Sequence, residues 1–156
     1  MMKTIINTLH DPMNIALIEA KKAFRKYEIP VGAVITDIKG NIISKAHNLV
    51  EKKKDPTAHA EILAIKKATI FMKNKYLINC SLYVTLEPCP MCASAIQYSK
   101  IKNLFFGCDD IKNGAVNNGV KIFNQKFCNH KPEIYDGIRA TECSDLLKNF
   151  FRLKRK

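Results

Sequence analysis

Two short stretches, His59-Ala60-Glu61 and Pro88-Cys89-Pro90-Met91-Cys92, constrain this chain more than any other part of it. Together they offer one imidazole, two thiols and a carboxylate. Imidazole nitrogen and thiolate sulfur are good zinc donors, and thiolates disfavour harder ions such as magnesium. Three protein ligands leave a fourth coordination position open, and that opening separates a reactive zinc centre from a structural one. The spacing also restricts the fold. Cys89 and Cys92 are three apart and point the same way on a helical turn. Pro90 between them suits a first turn, where its missing N–H costs nothing. A helix is therefore predicted from about Pro90 to Gln97. Asp55-Pro56-Thr57 reads as the approach to another, from about Ala58 to Met72, with Thr57 or Asp55 as its cap. His59 and Glu61 are two apart, so in mid-helix they would diverge by roughly 200°. They can share a site only across the end of the helix. Two helix N-termini would then face one metal, and their partial positive charge favours thiolates.

Glu61 is the carboxylate left over for proton transfer. Zinc lowers the pKa of a bound water from 15.7 to about 7, and a neighbouring carboxylate can take up and return the proton. A structural zinc would need a fourth protein ligand close by. Cys80 and Cys108 are the nearby thiols, and neither forms a second Cys-x-x-Cys.

At 156 residues, 47% of them hydrophobic, the chain reads as one domain spanning 1–156 with a substantial core. The six cysteines are irregularly spaced outside the motif, so no disulfide framework is expected. Cys80, Cys108, Cys128 and Cys143 read as reduced, small core residues, which suits a cytoplasmic protein. The first residues, Lys3 to Asp11, lack the apolar stretch of a signal peptide. No apolar run approaches the ~20 residues that span a bilayer, so no membrane partner is expected.

The net charge of +12 invites a polyanion. However, 22 lysines against four arginines, with frequent isoleucine and asparagine, is also the profile of AT-rich coding. Placement says more. Lys148, Arg152 and Lys156 recur every fourth residue near the C-terminus, beside Lys154 and Arg155. Such a run is ordinarily a solvated helix face, and it is also well placed to meet phosphate.

Along the chain, Met13, Leu17, Ala20, Phe24 and Tyr27 keep helical spacing and predict a first helix ending before Pro30. Val31 to Ile35 is a short apolar run without alternation, the pattern of a strand covered on both faces. Lys39-Gly40-Asn41 reads as a hairpin turn into a strand at Ile42 to His47. Further strands are expected at Leu82 to Leu86 and Ile101 to Phe106, the latter ended by Gly107. A turn-rich stretch runs from Cys108 to Pro132, followed by an edge strand at Glu133 to Asp136. Cys143, Leu146, Leu147, Phe150 and Phe151 line a C-terminal helix. Alternating strands and helices predict a layered α/β domain with a mixed sheet, antiparallel only at the first hairpin. His10 and His47 show no chemical partner and read as surface or strand-face residues; His130 reads as support for the turn before the last strand.

His-x-Glu followed by Pro-Cys-x-x-Cys is the signature of zinc-dependent nucleobase deaminases. Around it, Ile29-Pro30-Val31-Gly32-Ala33-Val34, Asp55-Pro56-Thr57-Ala58, Leu82-Tyr83-Val84-Thr85-Leu86-Glu87 and Phe106-Gly107-Cys108-Asp109-Asp110 extend the pattern, as do Asn129-His130 and Cys143 to Arg152. From about Pro12 to Arg155 the chain resembles the bacterial tRNA-specific adenosine deaminase family, within the cytidine deaminase-like superfamily. That resemblance implies a three-layer α/β/α fold with about five strands. It implies hydrolysis of adenosine to inosine at the wobble position of a tRNA anticodon, in bacteria chiefly an arginine tRNA. It further implies a homodimer with one Zn2+ per subunit and a shared groove for the anticodon stem-loop. By position, His59, Cys89 and Cys92 would be the zinc ligands and Glu61 the proton shuttle. Asn48 would hydrogen-bond the purine, the backbones of Val31 and Ala60 would touch the base, and Asp110 and Lys112 would meet the flanking nucleotides. Phe150 and Arg152 would contact the anticodon loop.

Read from the residues alone, Asn48 closes a turn, Asp110 and Lys112 are solvated loop charges, and the spacing of Phe150 is that of a core residue. Two positions depart from the family pattern. Cys108 stands where alanine is common, and Ala46-His47 stands before Asn48 where Gly-Trp is expected. Two other functional classes use parts of the same pattern. A deaminase of a free base or nucleoside shares the zinc chemistry and needs no basic C-terminal helix. A zinc-stabilised RNA-binding module without catalysis has no use for Glu61.

Overall fold

The computed structural model of the chain describes residues 10–155. Lys156, the last of the basic cluster, and the first nine positions, where no signal peptide is read, lie outside the described residues. In chain order the elements are helix α1 (Pro12–Arg25), strands β1 (Gly32–Thr36) and β2 (Ile42–His47), a short helix α2 (Val50–Lys53), helix α3 (Ala60–Met72), strand β3 (Ser81–Leu86), helix α4 (Pro90–Ser99), strand β4 (Asn103–Cys108), a 3-10 turn at Ile122–Asn124, strand β5 (Glu133–Tyr135) and helix α5 (Ala140–Lys154). One sheet takes the strands in the order β2-β1-β3-β4-β5. Helices α1 and α5 cover one face and α3 and α4 the other, so the three-layer α/β/α expectation holds.

Local chemistry accounts for most of these elements. Asp11 caps α1 by accepting the Met13 N–H at 3.1 Å, with Pro12 in the first turn. The small and apolar residues Met13, Ala16, Leu17, Ala20 and Ala23 form its buried stripe. Every residue of β1 is buried. Ala33 and Ile35 join the core beneath α3, while Val34 faces Met13 and Ala16 of α1. The hairpin turn is held by Asp37, whose Oδ1 accepts the N–H groups of Lys39 and Asn41, both at 2.9 Å. Across β3, β4 and β5 the aligned rings of Tyr83, Phe105 and Tyr135 stack with centroids 4.4 and 4.7 Å apart.

The pairing differs from the sequence expectation in one respect. β1 runs antiparallel to β2, and also to β3. β3, β4 and β5 are parallel. The crossover through α3 carries the chain past β1, so β3 enters on the far side of it, opposed to its new neighbour. Strand β4 also continues through Gly107 instead of ending there. A Cβ at Gly107 would lie 2.4 Å from Cys143 Sγ and 2.6 Å from the Thr85 carbonyl oxygen, so glycine lets α5 sit on the strand.

Two buried carboxylates add contacts that the sequence pattern did not announce. Glu28 accepts the Glu51 N–H at 2.6 Å and the Lys52 N–H at 3.5 Å, and so fixes the start of α2. Glu19 accepts Lys22 Nζ and pairs with His47 Nδ1, each at 2.7 Å. Lys26 Nζ lies 3.1 Å from His47 Nε2. An ammonium can only donate, so the ring accepts at Nε2 and donates from Nδ1 to Glu19. His47 therefore has two partners, contrary to its reading as an unpartnered strand-face residue. His130 does support its turn, with Nε2 2.6 Å from the Ile101 carbonyl.

Helix α1 lies directly on β1. A Cβ on Gly32 would fall 1.9 Å from the Ala16 carbonyl oxygen and 2.6 Å from the Ala20 nitrogen, both backbone atoms. Gly32→Ala is expected to cost at least about 2 kcal/mol by forcing the helix off the sheet. A urea titration checks this, and a loss below about 0.5 kcal/mol would show that α1 shifts freely.

Candidate active site

Both motifs sit at helix starts. His59 is the N-cap of α3 with extended backbone (φ −72°, ψ 153°), and Glu61 lies in the first turn. Cys89 is the N-cap of α4 (φ −73°, ψ 173°), with Pro90 next and Cys92 in the first turn. The geometric condition set by the two-residue spacing is thus met, because the helix begins between His59 and Glu61. His59 Nδ1 lies 3.6 Å from each of the Cys89 and Cys92 sulfurs. These three donor atoms fall within 4.8 Å of one another, and the Glu61 carboxylate is not part of that group. Cys92 is fully buried, whereas His59 and Cys89 are half-buried. One nitrogen and two sulfurs facing two positive helix ends suit zinc, with the carboxylate held beside the cluster.

Using the cap positions for metal donors leaves the helices without caps of their own. Neither Asp55 nor Thr57 caps α3, contrary to the sequence expectation. Asp55 Oδ1 instead accepts the Thr57 N–H at 2.8 Å and hydroxyl at 2.7 Å, closing the preceding turn. The N–H of Ala60 donates to Asn48 Oδ1 at 2.7 Å. Asn48, buried just beyond β2, donates its own N–H to the Val31 carbonyl at 3.2 Å. The Val31 N–H in turn bonds the Ile29 carbonyl at 2.8 Å. Asn48, Val31 and Ala60 therefore form one linked wall beside His59, and the Asn48 Nδ2 donates to no group among the described residues.

Burial leads the electrostatics at Glu61, and hydrogen bonds lead at the metal donors. Desolvation pushes the Glu61 carboxyl up to about 7, helped by the charge on Cys89. The hydrogen bond from Cys92, then that to His59, outweighs burial at Cys89 and pulls its thiol down to about 4. Cys92 is pushed up as the hydrogen-bonding partner of Cys89 and by burial. His59 is raised, first by its hydrogen bond to Cys89.

The sequence model of the cytidine and deoxycytidylate deaminase zinc-binding region matches residues 6–108. Over 141 residues the chain is 49% identical to the tRNA-specific adenosine deaminase of Rickettsia bellii, covering 90% of this chain and 97% of that one. The chain belongs to the tRNA-specific adenosine deaminase family. With the family's enzyme from Aquifex aeolicus it shares 48% identity over 143 residues, 92% of this chain and 93% of that one. A solved structure from a study of A-to-I editing by tRNA:A34 deaminases at the wobble position of transfer RNA superposes with a TM-score of 0.85. It is 41% identical and covers 87% of this chain and 98% of its own.

In this member of the family the remaining candidate residues fall in two places. Asp110 and Lys112 lie on the loop after β4. Asp110 Oδ1 accepts the Asn113 N–H at 3.0 Å, and Lys112 is exposed. Phe150 and Arg152 lie on α5. Phe150 is buried, edge-on to Phe24 and Phe151 at 5.7 and 5.4 Å, so its ring belongs to the seam between α1 and α5 and not to an RNA surface. Arg152 is exposed and donates to Asn149 Oδ1 at 3.2 Å.

Sequence reasoning missed the part played by Glu87. Its carboxylate is buried beside Pro88-Cys89 and accepts N–H groups from Asp110, Val116, Asn117 and Asn118. Burial alone would raise its carboxyl, but the Asn118 side chain and these backbone donors bring it below the usual range. A lone glutamate before the Pro-Cys motif was the available signal, and nothing near it in sequence names its partners.

Removing the imported cap tests the wall. Asn48→Ala leaves the Ala60 N–H buried without its partner and is expected to cost about 1–2 kcal/mol. It should also weaken zinc binding about tenfold by loosening His59. Chemical denaturation and competition with a chromophoric chelator measure the two effects, and a variant unchanged in both would show that Asn48 does not hold the helix start.

Proposed function

We propose that this chain converts the adenosine at the wobble position of a tRNA anticodon to inosine, with an arginine tRNA as substrate and release of ammonia. The observation that carries the reading is the placement of Glu61. It is a buried carboxylate beside three zinc donors and outside the donor set. His59, Cys89 and Cys92 would hold a zinc ion, and the chemistry it would supply is acidification of a water to a pKa near 7. Glu61, a carboxylate buried beside this group, is placed to take a proton and return it. It delivers one proton of the water to a purine ring nitrogen as the oxygen adds to the amino-bearing carbon. It then passes the proton of the new hydroxyl to the amino group, whose C–N bond breaks to release ammonia. A base stacked in a duplex is out of reach of such a site, whereas an anticodon loop offers an unstacked one.

The wall formed by Asn48 fits a purine edge. Its Nδ2 is an open donor, and the Val31 carbonyl keeps a second lone pair beyond the one used by the Asn48 N–H. The Ala60 N–H is held by Asn48, and the resemblance assigns the Ala60 backbone to the base. Asp110 and Lys112 are assigned to the flanking nucleotides. Arg152, with Lys148, Lys154 and Arg155, is assigned to phosphate. The resemblance supports these roles, and the exposure of Lys112 and Arg152 agrees with them. Phe150 is left in the core.

The same reading takes the enzyme as a cytoplasmic homodimer. All six thiols are free, as a reducing compartment requires, and no described helix is long and apolar enough to cross a membrane. Ile70 and Phe71 at the end of α3 and Tyr98 on α4 are exposed apolar surface for a second copy to cover. Sedimentation equilibrium is expected to give twice the chain mass, and a charge at Tyr98 to shift it toward the monomer. A wild-type chain that sediments as a monomer would exclude the shared groove.

For the chemistry, Glu61→Ala should keep its zinc and lose deamination by at least about a hundredfold. Purified enzyme offered a tRNA mixture beside free adenosine, guanine and cytidine should yield inosine, read as A-to-G at the wobble position, with no free-base turnover. Turnover of a free base, or an active Glu61→Ala, would overturn the assignment.

A further inference from the structure

Glu87 is bound far more thoroughly than a carboxylate at the end of a strand requires. Its Oε1 accepts the Asp110 N–H at 3.0 Å and Asn118 Nδ2 at 2.7 Å. Its Oε2 accepts three successive backbone N–H groups, from Val116 at 3.0 Å, Asn117 at 2.9 Å and Asn118 at 3.0 Å. Two carboxylate oxygens offer about four lone-pair sites, so all are engaged by these five bonds. None of the salt bridges among the described residues involves Glu87, and amide dipoles hold its charge.

The loop is wrapped tightly on this group. A Cβ at Gly114 would lie 2.4 Å from Glu87 Cδ, and Gly119 takes a left-handed φ of +59° with its own Cβ position 2.4 Å from the Gly114 oxygen. The neighbours of Glu87 continue the connection. Its N–H donates to the Cys108 carbonyl at 2.9 Å, and the Pro88 carbonyl accepts the Ala115 N–H at 2.9 Å. The next residue, Cys89, is a zinc ligand and the cap of α4. Three consecutive residues thus bind the loop twice and offer one metal donor.

We infer that Glu87 is a positioning residue for RNA. It holds the Asp110–Asn118 loop, with Asp110 and Lys112, in fixed register with the zinc ligand Cys89, so that the nucleotides flanking the target base are aligned with the reacting centre. This rests on the reading that the site acts on a tRNA loop. A glutamine at position 87 keeps the shape and replaces one acceptor by an N–H2 group. If its oxygen faces the three backbone donors, the amide of Asn118 can turn to meet the new donor, but the Asp110 N–H loses its acceptor. The arm carrying Lys112 then loosens while the metal ligands stay in place.

Steady-state kinetics on an anticodon stem-loop, with zinc content measured on each protein, tests this. Glu87→Gln should keep one zinc per chain, raise KM about tenfold and leave kcat within about twofold. Asn118→Ala, which removes one of the five bonds, should raise KM by about threefold in the same way, and it carries the test if Glu87→Gln does not fold. Lys112→Ala should raise KM in the wild-type background and have little further effect beside Glu87→Gln, because the two changes disable the same arm. An unchanged KM in these variants, or a Lys112→Ala effect of equal size in both backgrounds, overturns the positioning role. A wild-type chain that makes inosine in tRNA yet shows that result refutes Glu87 alone. A wild-type chain that makes none refutes the functional reading and this inference with it.

Discussion

Two helices begin at the same point, and the chemistry of the chain depends on that coincidence. His59 and Cys89 occupy the cap positions of α3 and α4, where a side chain would ordinarily satisfy the helix's own first N–H groups. Turning those residues toward a metal gives up that service. Pro90 removes one of the orphan donors of α4 outright. For α3 the replacement comes from Asn48, on the strand side of the site. The metal centre, the helix start and the end of β2 are therefore one construction.

Close approach makes it possible. Ala60, Ala64 and Ala68 are fully buried where α3 meets the sheet, and Ser44 donates its hydroxyl to the Ala64 carbonyl at 2.9 Å. On the opposite face Gly32 leaves room for the backbone of α1. Small residues on both sides bring the helices onto the sheet, so the ends of α3 and α4 are placed by backbone contact with little intervening side chain. Close packing of this kind transmits displacement, and the site has little freedom to drift relative to the sheet.

Much of what is local in this protein was legible in its sequence, although the cap of α3, the run of β4 through Gly107 and the four-residue α2 were not. The periodic stripe of α1, the apolar run of β1, the hairpin turn, the helix starts at the two motifs and the metal donors are all encoded within a few residues. The core setting of Phe150 could also be read from its spacing. Bonds between residues far apart in the chain escaped as well: Asn48 to Ala60, Glu28 to Glu51, Glu19 to His47 and Glu87 to the loop after β4. A buried carboxylate that accepts backbone N–H groups leaves no pattern, because any residue supplies the N–H. The second antiparallel pair escaped for a related reason. Periodicity finds strands, but not which strands become neighbours.

The Glu19–His47–Lys26 arrangement bears on how this chain can change. Before Asn48, where the family resemblance leads one to expect Gly-Trp, the chain carries Ala46-His47, and the imidazole lies between a buried carboxylate and an ammonium. Replacing His47 alone by tryptophan would keep a ring N–H but remove the ring nitrogen that accepts from Lys26. Replacing Glu19 alone would leave the imidazole facing two lysines. Each single step therefore leaves a charged group with one partner fewer. These positions behave as a linked set, so a mutational route between the polar and the aromatic wall is expected to cross a valley instead of descending by independent steps.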